Sequence, residues 1–222
     1  DSQPAFTRAV EHGGTIFVPA GIYQFGSRVD VDNPTTFIGE NISATVLERN
    51  FDPGASEDTR GIFYMGDGSS ASGLQAMTLR SKSGQTGGCL LAIEPSSEGS
   101  LGLYSFMNVD FTTTDSSGTT GTHKYTIFMD GTAKATAPVG IRGVDMFGCH
   151  VFGGSESSIL VKGVLKWSFI GGGVYTAGGA AASNVKIDGT AGVYSQNFIF
   201  QPSDCTTVID MDYAKIGHIH TA

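Results

Sequence analysis

The sequence predicts an all-β protein, a parallel β-helix with a short helix covering its N-terminal end. The first observation is compositional: 32 of the 222 residues are glycine and only 15% are charged. This composition suits short strands joined by tight turns more than helices. The second observation is a strand-like pattern that recurs along the chain. We expect residues 1–12 to form the capping helix and residues 13–222 to form one β-helical domain.

The N-terminal helix is predicted from the spacing of its apolar residues. Phe6, Ala9 and Val10 lie at the spacing of one helical face. A proline at position 4 suits the first turn, and Asp1 or Ser2 can cap the helix. Since the open end of a stack of strands exposes apolar core and unpaired strand edges, we expect the helix to cover that end.

Two short strands bent around a corner are predicted after the helix. Residues 13–25 read G-G-T-I-F-V-P-A-G-I-Y-Q-F, which is a β-branched and aromatic run, then Pro-Ala-Gly, then a second such run. Proline fixes its own φ and lacks the N–H that a continuing strand needs, so the first strand must end there. We interpret this corner as the first turn of the coil.

A repeating unit, apolar–any–apolar followed by a charged residue, predicts the stack itself. It starts at five positions, separated by 36, 32, 26 and 24 residues: Leu91, Ile127, Ile159, Val185 and Ile209. Because the strand pattern is constant while the spacing varies, the insertions must lie in loops, as in solenoids whose neighbouring units share one core. The alternative is a β-sandwich, which favours hairpins, and the Asn-Gly hairpin signal is absent.

Alternation within these strands predicts two columns of inward side chains. The first column contains Ile93, Met129, Val161, Ile187 and Met211. A second strand follows at a fixed offset, since Val161 to Gly172 and Ile187 to Phe198 are both steps of 11 residues. The second column is therefore predicted to contain Val109, Cys149 and Phe198.

Charge and cysteine content exclude several classes of function. The net charge is −8 and the 13 Lys and Arg residues are scattered, whereas a nucleic-acid binder normally carries a basic face. No apolar run is long enough to span a bilayer. Cys89, Cys149 and Cys205 are far apart and odd in number, which predicts buried free thiols. We predict no cofactor and no metal ion.

The opening of the chain resembles the pectate-lyase-like β-helix superfamily. The similarity rests on Gly-Gly-Thr-hydrophobic-Pro-x-Gly-x-Tyr at 13–23, the short helix before it and T-T-F-I-G-E at 35–40. Bacteriophage tailspikes and polysaccharide depolymerases commonly begin their β-helix in this way. The Gly-Asp-Gly-x-x-Asp-Asp segment usual before it is missing except for Asp1, so we expect the chain to be part of a longer protein.

This resemblance implies both a fold and a function. The fold would be a single-stranded, right-handed parallel β-helix. The function would be binding and cleavage of bacterial surface polysaccharide, capsule or O-antigen, by a glycoside hydrolase or a lyase. The resemblance also implies a homotrimer at the virion tail or outside the cell, in contact with other virion tail proteins. The alternative is a non-catalytic β-helical virion structural or glycan-binding module.

Two pairs of stacked outward residues are the candidate catalytic groups. Asp110 beside His150 could orient a histidine base, or could be an ordinary surface ion pair. Glu94 beside Asp130 would place two acids together with no cation between them, which raises the pKa of one and makes it a proton donor. The alternative is that these acids are common turn residues after a strand.

Aromatic residues and polar loops are the candidate substrate-binding elements. The aromatic candidates for stacking on sugar rings are Tyr104, Tyr125, Trp167 and Tyr175. By alternation Trp167 fits the core equally well, and a single Trp is few for a sugar groove. The Ser/Thr/Gly-rich segments 66–73, 112–124 and 176–183 are predicted to be loops that border the groove.

Overall fold

The computed structural model describes most of the chain as one helix followed by short strands. The described residues are 1–54, 59–82, 84–85, 87–95, 102–113, 123–132, 141–175, 183–188, 198–201, 204–205, 209–212 and 219–221. For residues 198, 204–205, 209–212 and 219–221 only the backbone is considered. The elements are α1 (Gln3–His12), β1 (Gly14–Val18), β2 (Gly21–Phe25), β3 (Val29–Val31), β4 (Thr35–Gly39), β5 (Thr45–Arg49), β6 (Phe63–Met65), β7 (Ser72–Ser81), β8 (Leu91–Ile93), β9 (Gly102–Thr112), β10 (Tyr125–Asp130), β11 (Ile141–Phe147), β12 (His150–Phe152), β13 (Ser157–Lys162), β14 (Trp167–Ile170), β15 (Gly173–Tyr175), β16 (Ser183–Asp188), β17 (Phe198–Gln201), β18 (Asp204–Cys205), β19 (Ile209–Asp212) and β20 (Ile219–Thr221).

The chain passes alternately through two parallel sheets. The small sheet contains, in both spatial and chain order, β3, β6, β8, β10, β13, β16 and β19. The other described strands belong to the large sheet. Each strand pairing between described residues is parallel, including those on both sides of β10. The prediction of an all-β protein with parallel strands and an N-terminal helix is therefore confirmed.

The large sheet is bent along its length into two arms. The first arm contains β1, β4, the first half of β7, the first half of β9, β11, β14, β17 and β20. The second arm contains β2, β5, the second halves of β7 and β9, β12, β15 and β18. At the bend, one residue in each of three successive turns of the chain has a left-handed backbone conformation. These residues are Ala76 (φ 54°), Asn108 (φ 51°) and Gly148 (φ 61°). The predicted Pro-Ala-Gly corner lies at the same place, between β1 and β2.

The first predicted column of inward residues is confirmed by the register of the small sheet. The paired positions are Ile93, Met129, Val161, Ile187 and, by backbone pairing, Met211. The column continues toward the N-terminus through Met65 and Val31. Met129 and Ile187 are buried, so the stack shares one apolar core, as the repeat argument requires.

The second predicted column is correct for two members and wrong for the third. Val109 and Cys149 are buried and aligned through the neighbouring pair Asp110–His150. Phe198, however, pairs with Trp167 of β14 in the first arm. The step of 11 residues that suggested otherwise was a coincidence, because the segments between the sheets vary in length.

The N-terminal helix covers the end of the stack as predicted. Phe6 is buried, with its ring centroid 4.9 Å from Phe25 and 5.2 Å from Phe37. The Asp1 carboxylate accepts hydrogen bonds from the backbone N–H groups of Gln3 (3.0 Å) and Gly26 (3.1 Å). Asp1, the residue before the N-cap Ser2, thus satisfies the N–H of the first helical residue and ties the helix to the turn after β2.

Cys89 and Cys149 are buried and, among the described residues, are not joined in a disulfide, as predicted, while the side chain of Cys205 lies outside the described residues. Burial raises the pKa of Cys149 to about 12, so its thiol is not a reactive nucleophile. Within the described part of the chain, no helix has the length and apolar character needed to cross a membrane.

Candidate functional site

The small sheet carries a column of charged residues at the ends of its strands. Ile93 and Met129 are paired in register. The backbones of the next residues, Glu94 just beyond β8 and Asp130 at the end of β10, are therefore neighbours at about the 4.8 Å spacing of adjacent strands. The column continues in register to Lys162 and Asp188. The structure therefore brings together one of the two predicted catalytic pairs.

Asp130 is held by partners at both carboxylate oxygens. Oδ2 accepts a hydrogen bond from the Lys162 ammonium at 2.9 Å, and Oδ1 accepts one from the Thr132 backbone N–H at 2.8 Å. The Asp130 and Lys162 side chains are largely covered, which makes their ion pair stronger than an exposed one. Asp130 is thus a positioned carboxylate on the flank of the column.

Glu94 lies in a different environment, although it is the neighbour of Asp130. The Tyr64 hydroxyl donates to Glu94 Oε2 at 3.2 Å. Burial raises the pKa of Glu94, and the charge of Asp130 raises it further, against the opposing effect of the Tyr64 bond. The predicted direction is confirmed, but burial contributes more than the neighbouring acid. Glu94 and Asp130 are therefore neighbouring carboxyl groups with different hydrogen-bond partners.

Tyr64 and Arg28 extend this site, and sequence reasoning missed both. Burial, followed by the Glu94 charge, raises the pKa of Tyr64 to about 12, so its phenol remains a hydrogen-bond donor. The Arg28 guanidinium lies 4.2 Å from the centre of the Tyr64 ring and pairs with Asp30 at 2.6 Å. The strand F-Y-M at 63–65 has the repeat's apolar–any–apolar pattern. It escaped notice because glycine, and not a charged residue, follows it.

The second predicted catalytic pair also forms, on the outer face of the second arm. His150 is in register with Asp110, and its Nδ1 lies 3.0 Å from Asp110 Oδ1. The two side chains are 53% and 36% exposed, so as an ion pair they contribute little to stability. Tyr175 belongs to the same face, because a Cβ added to Gly173, the neighbour of His150, would meet the Tyr175 ring.

Three of the four predicted sugar-stacking rings are buried, which corrects that prediction. The exposed fractions are 2% for Tyr104, 8% for Tyr125 and 1% for Trp167. The Tyr104 hydroxyl bonds Ser69 Oγ at 3.0 Å, and the Tyr125 hydroxyl donates to Glu156 at 2.9 Å. These rings occupy inward or covered positions, so they do not form a platform for sugars. The core alternative for Trp167 is the one observed.

A groove of about 420 Å³ lies on the outer face of the first arm, and neither the Glu94–Asp130 pair nor the Asp110–His150 pair lines it. Ala71 and Ser72 line it, so the predicted loop 66–73 does border a concave surface. The predicted loops 112–124 and 176–183 lie mostly outside the described residues.

A buried polar cluster around Arg49 and His123 was not predicted. Arg49 donates to the carbonyl oxygens of Cys89 (2.9 Å) and Gly87 (3.1 Å), and its Nη2 lies 3.0 Å from His123 Nδ1. His123 also contacts the Gly87 carbonyl at 2.6 Å and Ser81 Oγ at 2.7 Å. Arg49 and His123 are fully buried, so we assign the cluster a structural role.

The described side chains include no group of three or more His, Cys, Asp or Glu placed to share a metal ion.

No protein-family model and no curated protein matches the sequence. Among solved structures, the chain is similar to ORF18 of Geobacillus virus E2, with 10% identity and a TM-score of 0.30. That alignment covers 100% of this chain and 58% of the viral protein. A TM-score this low establishes neither a common fold nor a common function.

Proposed function

We propose that this chain is a single-stranded, right-handed parallel β-helix that binds and hydrolyses bacterial surface polysaccharide. The observation that carries the hydrolytic part is the Glu94–Asp130 pair, two carboxyl groups on adjacent strands in unlike environments. Hydrolysis of a glycosidic bond requires a carboxylic acid that protonates the leaving oxygen and a second carboxylate. The alternation between two parallel sheets supports the β-helix part of the proposal.

In the proposed reaction Glu94 is the general acid. Its raised pKa keeps a proton available, and the Tyr64 hydroxyl fixes the carboxyl group. Glu94 gives this proton to the glycosidic oxygen as the bond to the anomeric carbon breaks. A water molecule adds to that carbon and loses its proton to Asp130, which Lys162 and Thr132 hold in place. If Asp130 attacks the carbon itself, the product retains its anomeric configuration.

The test is the release of reducing ends from capsule and O-antigen preparations. We expect Glu94→Gln and Asp130→Asn each to lower the rate by at least about 100-fold, the lower range for loss of acid–base catalysis. Asp188→Asn is the matched control, because Asp188 lies in the same charged column but two strands from Asp130. Equal rates in the wild type and Glu94→Gln would refute the assignment.

The Asp110–His150 pair supports a second candidate reaction, elimination from a uronate-containing polymer. His150, oriented by Asp110 at 3.0 Å, is placed to act as the base for the proton next to the carboxylate. Elimination yields an unsaturated, ultraviolet-absorbing product, whereas hydrolysis does not. An absorbing product lost in His150→Gln and kept in Glu94→Gln would favour this reaction over hydrolysis.

Binding without cleavage is the remaining candidate, and the separation of the groove from both acid pairs favours it. Retained polymer on a glycan array with no product from it would support a binding or spacer role. As the resemblance of the N-terminal motif implies, we also propose a homotrimer at the virion tail or outside the cell, in contact with other tail proteins. Sedimentation of the full chain tests the trimer.

A further inference from the structure

The groove on the first arm has a polar floor between apolar rims. Its polar floor contains Thr36, Ser105 and Asp145, which lie in one register row across four adjacent strands. The fourth member of that row, Gly73, is buried between Thr36 and Ser105. Strand β9 crosses this row with Leu103, Ser105 and Met107 pointing outward, so the profile across the groove is apolar, polar, apolar. A Cβ added at Gly73 would meet the backbone carbonyl oxygen of Ser105, so only glycine fits at that point of the row.

Three polar side chains that line this groove are available to bind a ligand, whereas Ser72 and Tyr104, which also line it, are already hydrogen-bonded. Thr36, Gln75 and Ser105 line it, and none of the three forms a side-chain hydrogen bond with another described residue. Asp145, the charged member, is paired with Lys166 at 3.1 Å. The groove therefore offers uncharged hydrogen-bond donors and acceptors, while its one acid is already balanced by a cation.

The apolar rims are exposed to an unusual degree for a sheet face. Leu103 is 51% exposed and Met107 is 41% exposed. Phe147 is the in-register neighbour of Met107 and continues the rim at 38% exposure. Apolar surface beside unused hydroxyl and amide groups is what binds a ligand that has both apolar faces and hydroxyl edges.

We propose that this groove binds an uncharged stretch of polysaccharide at a site separate from Glu94 and Asp130. The ligand class rests on the proposed function. The groove's volume of about 420 Å³ lies within the range of roughly 300–1,000 Å³ usual for ligand sites. Its floor spans three strand spacings, about 14 Å, which suits an oligosaccharide. A second copy of the chain fits less well, because a flat apolar contact would bury three polar side chains without partners.

The test measures polymer binding and cleavage separately. Binding is measured by titration calorimetry in the full chain carrying Glu94→Gln, with neutral oligosaccharides selected on a glycan array. We expect Ser105→Trp, which fills the groove, to weaken binding at least about tenfold. We expect Gln75→Ala and Thr36→Val each to weaken it about three- to tenfold, the usual loss for one hydrogen bond.

Thr15→Trp is the matched control, because Thr15 pairs with Thr36 in the same outward row but does not line the groove. Unchanged affinity in Ser105→Trp, Gln75→Ala and Thr36→Val would overturn the inference. So would a change of oligomeric state in Ser105→Trp with glycan affinity intact, or the absence of binding to any neutral oligosaccharide on the array.

The inference and the proposed hydrolysis can fail independently. Groove-dependent binding with no reducing ends released would refute hydrolysis and leave the groove assignment standing. Release of reducing ends that depends on Glu94, with affinity unaffected by Ser105→Trp, would refute the groove assignment and leave hydrolysis standing.

Discussion

Acidification from pH 6.5 to pH 4 should destabilise this protein through His123. The imidazole is fully buried, and its Nδ1 lies 2.6 Å from the Gly87 carbonyl oxygen, which can only accept a hydrogen bond. We therefore assign the proton to Nδ1 and leave Nε2 to accept from Ser81 at 2.7 Å. A second proton on the ring would place two cations side by side in the core, because Arg49 Nη2 is 3.0 Å from the same ring.

The size of the effect follows from the pKa. Burial, followed by the charge of Arg49, lowers the pKa of His123 from 6.5 to about 4. The unfolded chain thus takes up this proton near pH 6.5, whereas the folded chain resists it down to about pH 4. Because the unfolded state binds more protons in this window, the free energy of unfolding falls as the pH drops. At about 1.4 kcal/mol for each pH unit, the loss amounts to about 3 kcal/mol.

Urea unfolding of the wild type and His123→Gln at pH 6.5 and pH 4 measures this loss. Glutamine keeps a donor and an acceptor but does not titrate, so carboxyl groups that also titrate in this window affect both proteins alike. We expect the wild type to lose about 3 kcal/mol more than the variant between the two pH values. His150→Gln makes the same substitution at a half-exposed histidine outside this cluster and is the control for the loss of a histidine. Equal losses in the wild type and His123→Gln would refute the reasoning.

Three further perturbations test the site, the cap and the bend. Burial raises the pKa of Glu94, so folding favours its protonated form. The stability gained from that form is present below pH 4.5 and is lost as the pH rises through the raised pKa. Glu94→Gln should therefore raise the melting temperature at pH 7 and change it little at pH 4. Phe6→Ala should cost about 3–5 kcal/mol in urea unfolding, with Phe6→Leu costing less, because the ring fills the core beneath the helix. Gly172 and Gly14 both have a positive φ, +68° and +83°, but only at Gly172 would an added Cβ meet backbone atoms, those of Cys149. Gly172→Ala should therefore lower the free energy of unfolding by more than Gly14→Ala does. The left-handed backbone alone should cost each variant about 1–2 kcal/mol. Equal losses in the two variants would contradict an additional cost from the close approach of Gly172 to Cys149.

Strand register was predictable from the sequence because it depends on a local pattern. Side chains alternate with a period of two, so the apolar–any–apolar–charged unit specifies which residues point inward and which end the strand. Parallel strands stacked in register then place Met129 beside Val161 and Asp110 beside His150. This argument correctly predicted that Glu94 lies beside Asp130 and that Asp110 lies beside His150. It did not predict the hydrogen-bond partners that surround these residues.

The arm to which a strand belongs was not predictable, because loops of varying length separate the strands. Phe198 is the example: its distance from Ile187 along the chain matched the second arm, yet its strand pairs in the first arm with Trp167. The direction in which aromatic rings point was similarly open, and the burial of Tyr104 and Tyr125 removed two predicted sugar platforms.

The sequence alone therefore determined the β class, the N-terminal cap and the neighbours along the small sheet, since these follow from composition and short-range alternation. Tertiary structure decided the environment of each group. Glu94 and Asp130 differ because Tyr64, 30 positions before Glu94, bonds one of them and Lys162 bonds the other. His123 meets Arg49 across 74 positions of sequence. Burial and electrostatic shifts arise from contacts between residues that are distant in the chain, and only the folded arrangement specifies those contacts.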